Sequence, residues 1–126
     1  MTRYLKAADV LVLHALQIER YGGSAGLRDM GQLESALYRP QTGYYPDLIA
    51  ETAALWESLS QNHPFIDGNK RAAMAASLTF MIINGLDADV NADEMWTFLS
   101  GLYETHGFRF EAIDTWLRQH AKPIAP

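Results

Sequence analysis

Apolar residues recur every three or four positions along most of the chain, which is the spacing of one face of an α-helix. The segments with this pattern are separated by glycine, asparagine or proline, residues that end helices. The pattern predicts six helices, at about residues 7–20, 30–38, 47–62, 69–83, 91–106 and 110–120. Only residues 4–5 and 86–90 have the composition of extended segments. We therefore expect an all-α fold.

The fourth of these segments, residues 69–83, is apolar on nearly every face. A helix that is hydrophobic all round is a buried one. Its first half carries four alanines, at positions 72, 73, 75 and 76, which would let neighbouring helices approach closely. The sequence thus predicts a compact bundle of about six helices around this central buried helix.

Composition narrows the classes of function. The 126 residues, of which 48% are hydrophobic and 20% charged, fit a single globular domain covering residues 1–126. A net charge of −5 argues against a basic nucleic-acid surface, so we expect no direct DNA binding. The absence of cysteine excludes thiolate catalysis and disulfides. The longest apolar run, residues 72–83, is too short to span a bilayer, and a cytoplasmic protein without membrane contact is expected.

One short stretch carries residues suited to phosphate chemistry. It reads His-Pro-Phe-Ile-Asp-Gly-Asn-Lys-Arg, from His63 to Arg71, where a loop turns into the buried helix. A helix N-terminus presents unpaired backbone N–H groups and a partial positive charge, which suit an anion. Gly68 would let the backbone approach such an anion, and Asn69 could cap the helix or bind phosphate oxygens.

The charged residues of this stretch complete the pattern. Lys70 and Arg71 lie where the helix dipole disfavours cations, a conflict that an anionic ligand would remove. Asp67 offers an oxygen ligand for Mg²⁺, and His63 could accept a hydroxyl proton near neutral pH. Each residue alone has an ordinary explanation, as a capping histidine, a turn or a solvated face. A zinc site of His63 and Asp67 would lack a third ligand nearby in the sequence.

This stretch resembles the signature of the Fic/Doc family, H-x-F-x-[DE]-G-N-G-R-x-x-R, and reads H-P-F-I-D-G-N-K-R-A-A-M here. Residues 21–29 and 33–40 are also similar to the Doc (death on curing) toxins of that family. Lys70 replaces the second glycine of the signature, and Met74 replaces its last arginine. Both departures match the Doc branch. The resemblance covers nearly the whole chain and implies the Fic/Doc fold.

The resemblance also implies an activity. Fic enzymes transfer AMP, whereas Doc-like proteins bind ATP in the opposite orientation and transfer its γ-phosphate. The implied function is a toxin that phosphorylates a serine or threonine of a translation protein, elongation factor Tu by resemblance, and so arrests growth. ATP and Mg²⁺ are the implied cofactors. An adenylyltransferase and a catalytically silent binding module of the same fold remain open as alternatives.

The family roles carry over position by position. His63 would be the general base, and Asp67 would hold Mg²⁺. Gly68 and Asn69 would form the anion-binding nest at the start of the helix. Lys70 and Arg71 would bind the phosphates and stabilise charge in the transition state.

Two expectations concern partners. The connection Tyr38 to Tyr45 lies where the family has a flap that aligns the target by strand-like pairing, although a loop packed by its own aromatic residues is an equal alternative. The inhibitory helix of the family, [ST]-x-x-x-E-[GN], has no convincing match, since residues 100–105 end wrongly. Inhibition is therefore expected from a separate Phd-like antitoxin, whose helix would act in trans.

The remaining histidines and the tryptophans are interpreted as structural. His14 follows an apolar helix position, His106 is expected to complete a core stripe, and His120 to lie in a fraying C-terminal end. The three tryptophans are all assigned to the core, at positions 56, 96 and 116.

Overall fold

A computed structural model describes residues 1–124. In this range the chain forms six α-helices, α1 Ala7–Tyr21, α2 Met30–Tyr38, α3 Leu48–Asn62, α4 Asn69–Ile83, α5 Ala92–Glu104 and α6 Phe110–His120. A 3₁₀ turn, Arg39–Gln41, follows α2, and two three-residue strands are present, β1 Leu86–Ala88 and β2 Ala121–Pro123. The all-α fold is confirmed, and the helices lie where the apolar spacing predicts them.

Polar residues before three of the six helices in residues 1–124 act as caps. The side chain of Asp29 accepts a hydrogen bond from the backbone N–H of Gln32 and so starts α2. Asp47 does the same for α3, and Asn91 for α5. These caps satisfy N–H groups that the first turn of a helix cannot pair internally. The starts of these three helices therefore have a signal in the sequence.

The most enclosed helix is α3. Every residue from Ala50 to Trp56 is buried, and the helix packs against α2, α4, α6 and the 3₁₀ turn. In contrast, α4 buries one face and leaves Ile82 and Ile83 partly exposed at its C-terminal end. The prediction that α4 is the centre is therefore wrong in detail. Its alanines indicate close packing against α3, not enclosure on all sides.

The C-terminal segment does not fray at His120. Ala121 and Pro123 pair with Ala88 and Leu86 in an antiparallel ribbon. His120 is half-buried, its ring stacks on Trp116 at 4.4 Å, and its Nδ1 lies 2.8 Å from the Trp116 carbonyl oxygen. The expectation of a fraying end was wrong, because the strand pairing involves residues far apart in sequence. Positions 125 and 126 lie outside the described residues.

The helices of residues 1–124 are each too short or too polar to cross a membrane.

An ion pair joins the start of α3 to α6 and predicts a pH-dependent stability. Arg118 donates from Nη1 and Nη2 to Asp47, at 2.9 and 3.0 Å. This hydrogen bonding, together with the capped backbone N–H of Ala50, lowers the pKa of Asp47. Because the folded pKa lies below the unfolded value, the stabilisation is present above about pH 4 and is lost as the pH falls through the folded pKa.

We expect Asp47→Asn to lower the free energy of unfolding by at most about 1 kcal/mol at neutral pH, since both side chains are partly exposed. Asparagine still caps the helix, so the variant isolates the charge. Urea titrations of both proteins between pH 7 and 3 measure the difference. It should decrease toward the acidic end, and a difference that is independent of pH contradicts the assignment.

Candidate active site

The loop between α3 and α4 begins with a strained histidine. His63, the first residue after α3, has φ 49° and ψ 57°, a left-handed conformation that few residues other than glycine adopt. Arg28 fixes this conformation from the segment before α2. Its Nε donates to the His63 carbonyl oxygen at 2.6 Å, and its Nη2 to that of Asn62 at 2.9 Å. The exposed imidazole therefore projects from a backbone that is held in place.

The middle of the loop is anchored in the core. Phe65 is 2% exposed and its backbone pairs with Leu27. The buried ring of His14 stacks on Phe65 with 3.8 Å between centroids and 4° between planes. His14 Nε2 also lies 2.8 Å from the carbonyl oxygen of Asp67. The structural interpretation of His14 is confirmed, and its contacts with Phe65 and with the Asp67 carbonyl oxygen set the position of Asp67.

Asn69 holds the loop in shape. Its Oδ1 accepts from the Phe65 N–H at 2.9 Å, and its Nδ2 donates to the Phe65 carbonyl oxygen at 3.0 Å. The N-cap of α4 is Gly68, with φ 74° and no side-chain cap. The expectation that Asn69 caps the helix is therefore wrong, because the Phe65 backbone takes both groups of its amide. Its contribution to an anion nest would come from its backbone N–H, which the helix leaves unpaired.

Asn69 provides a test of this loop. We expect Asn69→Ala to lower the free energy of unfolding by about 1–2 kcal/mol and to reduce activity, because both Phe65 backbone groups lose their partner. Urea titration and a transfer assay measure the two effects. Asn91→Ala is the matched control, since it removes an asparagine that caps α5 and should lower stability without reducing transfer. Equal activity of the two variants would show that Asn69 has no special role in the loop.

Asp67 is exposed, and backbone groups orient its carboxylate. Oδ2 accepts from the N–H of Ser24 at 3.1 Å and Oδ1 from that of Gly68 at 2.8 Å. These bonds, Ser24 first, lower the pKa of Asp67, so that it is ionised at neutral pH. A Cβ on Gly23 would lie 2.8 Å from Oδ2, so a side chain there would collide with the carboxylate.

This donor set fits magnesium better than zinc. Residues 1–124 contain no group of three His, Cys, Asp or Glu side chains arranged to hold a metal. A cation at Asp67 would thus have one protein carboxylate and complete its shell with phosphate oxygens and water. Mg²⁺ is commonly bound in this way, whereas structural and catalytic zinc sites use three or four protein ligands.

The two cations of the stretch lie on aromatic rings. The Arg71 guanidinium lies between Tyr21 and Trp96, at 3.9 and 4.9 Å from the ring centroids. The Lys70 ammonium lies 4.5 Å from the ring centroid of Tyr103. Neither cation takes part in the ion pairs found within residues 1–124. No carboxylate of residues 1–124 pairs with either cation, so both are available to an anionic ligand.

Trp96 is half-buried on the surface of this site. Trp96 also packs against the core, so its assignment to the core is right in part, while Trp56 is fully buried and Trp116 nearly so. Trp96 follows the buried Met95 in α5, and its ring centroid lies 4.9 Å from the Arg71 guanidinium.

Two adjoining cavities meet at His63 and Lys70, which line both. One, of about 430 Å³, is lined by the nest and its surroundings: Gly22, Ile66, Asp67, Gly68, Asn69, Arg71 and Trp96. The other, of about 370 Å³, is lined by Ser60, Gln61, Tyr103, His106 and Phe108. His63, a proton acceptor, and Lys70, a cation, thus lie between the cavity suited to phosphates and the second cavity.

His106 lies on this second cavity and not in the core. It is exposed and has φ 57°, because α5 ends at Glu104 and the chain then reverses. The reversal is closed by the N–H of Gly107, which donates to the carbonyl oxygen of Leu102 at 2.8 Å. The prediction that His106 completes a core stripe is wrong, because it assumes that the helix continues to residue 106. The helix ends two residues earlier, at Glu104.

The connection from Tyr38 to Tyr45 is packed by its own aromatic residues. Tyr45 stacks edge-on with Tyr44, packs on Phe110 at 5.5 Å and accepts a hydrogen bond from Arg39 Nε at 2.7 Å. The described chain has no strand between positions 38 and 45. Tyr44 remains 81% exposed. A strand-like flap that contacts a target stays a prediction.

Comparison with known proteins agrees with this geometry. A sequence model of the Fic/DOC family matches residues 4–81, more than half of the chain and all of the loop from His63 to Arg71. The chain belongs to the Fic/Doc family. A protein named Toxin Doc, from Mycolicibacterium smegmatis, is 46% identical over 100 residues, which cover 74% of this chain and 75% of that protein.

A second relative is the Protein kinase doc of Escherichia phage P1. It is 32% identical over 88 residues, 67% of this chain and 70% of the relative. Both relatives place the chain in the Doc branch, as the replacements at Lys70 and Met74 predict. Sequence reasoning missed Arg28, Tyr21 and Tyr103 as parts of the site. Tyr21 and Arg28 lie in the segment 21–29 that resembles the Doc toxins, but their places beside Arg71 and His63 have no signal in the sequence.

Proposed function

We propose that the chain is a Doc-type toxin that transfers the γ-phosphate of ATP, with Mg²⁺, to a serine or threonine hydroxyl of a translation protein. The observation that carries this proposal is Lys70. Its ammonium stands at the junction of the two cavities, at the position where the Fic signature has a glycine. A cation there adds charge and fills space next to His63, which favours a terminal phosphate at this point.

The residues of the site support each step of such a transfer. The imidazole of His63 takes the proton of the acceptor hydroxyl, whose oxygen then forms a bond to the γ-phosphorus. The bond from that phosphorus to the β,γ-bridging oxygen breaks, and ADP leaves. Lys70, Arg71 and the backbone N–H groups at the start of α4 hold the phosphate oxygens and stabilise the charge.

Bound Mg²⁺ would neutralise phosphate charge, and Asp67 is the residue that would hold it. The carboxylate is suited to this role because it is ionised, exposed and oriented by two backbone N–H groups. Two other residues support the position of Asp67. His14 binds the Asp67 carbonyl oxygen, and Gly23 leaves room beside the carboxylate.

AMP transfer on the same scaffold is the second candidate. His63, Asp67 and Arg71 are common to both activities. Position 74 distinguishes the two activities, because Met74 replaces an arginine of the Fic signature. Incubation of the candidate target with α-labelled or γ-labelled ATP separates the two. We expect label from the γ position only. Label from the α position would replace the kinase proposal with adenylyl transfer.

The partners of this proposal are a cognate Phd-like antitoxin and a translation protein, with elongation factor Tu as the first target to assay in the cytoplasm. The relative named Toxin Doc supports a toxin with an antitoxin partner. A catalytically silent binding module is the remaining alternative, and the complete set of site residues argues against it. Growth arrest that persists without any transfer activity would favour that module.

A further inference from the structure

Helix α5 lies outside the segment that matches the family, which ends at residue 81, yet it contributes two side chains to the site. Trp96 and Tyr103 are seven residues apart, two helical turns, and so lie on one face of α5. Trp96 faces Arg71 and Tyr103 faces Lys70. One helix face thus meets both cations of α4.

The position of the Lys70 ammonium depends on a contact with another residue. It is exposed, its four-carbon stem is flexible, and it lies in the first turn of α4, where the helix dipole repels a cation. The ring centroid of Tyr103 lies 4.5 Å from the Lys70 ammonium, within the distance of about 6 Å at which a ring face attracts a cation. In the part of the chain that the structure describes, Tyr103 is therefore the group that favours one position of the Lys70 ammonium.

Tyr103 is itself held rigidly. Its ring stacks on Phe108 with 4.2 Å between centroids and 5° between planes. Its hydroxyl lies 2.8 Å from Ser60 Oγ, in α3. Burial raises the pKa of Tyr103 to about 12, so the phenol stays neutral at physiological pH. The ring face presented to Lys70 is thus fixed by Ser60 of α3 and by Phe108 in the connection between α5 and α6.

We propose that Tyr103 is a positioning residue, whose ring holds the Lys70 ammonium at the junction of the two cavities for binding to phosphate. Trp96 does the same for Arg71, together with Tyr21. The claim that Lys70 binds phosphate rests on the proposed function. The claim that Tyr103 fixes the position of the Lys70 ammonium does not. Tyr103 acts through Lys70 and does not touch the reacting atoms.

The first test measures position in the free protein by NMR. Because protons above an aromatic face are shifted upfield, the ε-methylene protons of Lys70 should be upfield of those of an exposed lysine. Tyr103→Leu should remove this shift, and Tyr103→Phe should retain it. Phe98→Leu is the matched control, since Phe98 lies on α5 but stacks on Trp116 at 4.7 Å. An unshifted Lys70 in the wild-type protein overturns the proposal.

The second test is a double-mutant cycle on γ-phosphate transfer. Tyr103→Leu should reduce kcat/KM about tenfold in the wild-type background and by less than about twofold when combined with Lys70→Ala. Tyr103→Phe should restore most of the activity, because it keeps the ring and loses only the bond to Ser60. An equal loss in both backgrounds would show a merely structural role and overturn the proposal.

The two tests separate the two proposals. If the wild-type protein transfers no phosphate to any candidate, the proposed function fails, and the NMR shift still decides whether Tyr103 positions Lys70. Thermal unfolding of each variant checks the fold. Should Tyr103→Leu not fold, Tyr103→Met replaces it, because methionine fills a similar volume with a flexible side chain and no ring face.

Discussion

His63→Asn is expected to reduce phosphate transfer by about 10² to 10⁴-fold, the usual contribution of a general base. The amide side chain cannot take the proton of the acceptor hydroxyl. Asparagine is chosen because it tolerates the left-handed backbone found at position 63, whereas alanine would add a cost of about 1–2 kcal/mol there. Initial rates with γ-labelled ATP and growth after induction measure the effect.

The matched control is His106→Asn. His106 is also exposed, also has a positive φ, of 57°, and lines the cavity next to His63. We expect a loss of transfer of less than about tenfold, because His106 has no step in the reaction. Full toxicity of His63→Asn would contradict the role of His63 as a base and favour inhibition by binding alone.

Arg71→Lys is expected to lower transfer by about 10² to 10³-fold, although the charge is kept. The guanidinium is planar, and its carbon lies 3.9 Å from the ring centroid of Tyr21 and 4.9 Å from that of Trp96. A lysine ammonium is a compact point charge without a fork of donors, so it would neither stack in the same way nor bind two phosphate oxygens at once. Titration with ATP separates a change in KM from a change in kcat.

Arg3→Lys is the control for this exchange. The backbone N–H and carbonyl of Arg3 are hydrogen-bonded to the Asn84 side chain, just beyond the C-terminal end of α4. Arg71 lies in the first turn of α4, about 20 Å from Asn84 along the helix. The control should transfer phosphate at the wild-type rate. If Arg71→Lys does so as well, the stacked arrangement has no part in the reaction.

The helices and the chemical groups of the loop from His63 to Arg71 could be predicted because both depend on neighbouring residues. Apolar spacing identifies a helix face, and Asp29, Asp47 and Asn91 mark helix starts through bonds to a backbone group three residues on. The anion-binding nest of Gly68 and Asn69 needs only a loop that is followed by a helix. Asn69 is the local exception, since its amide could bind several groups and only the loop geometry selects the Phe65 backbone.

By itself the sequence determined the all-α class, the helix positions, the chemical groups of the site and, through Lys70 and Met74, the Doc branch. The tertiary structure decided that α3 is the most enclosed helix, that His106 faces a cavity and that the two cations rest on aromatic rings. Those rings belong to α1 and α5, and Arg28 precedes α2. Contacts between distant elements depend on how helices pack against each other, and no spacing within one segment specifies that.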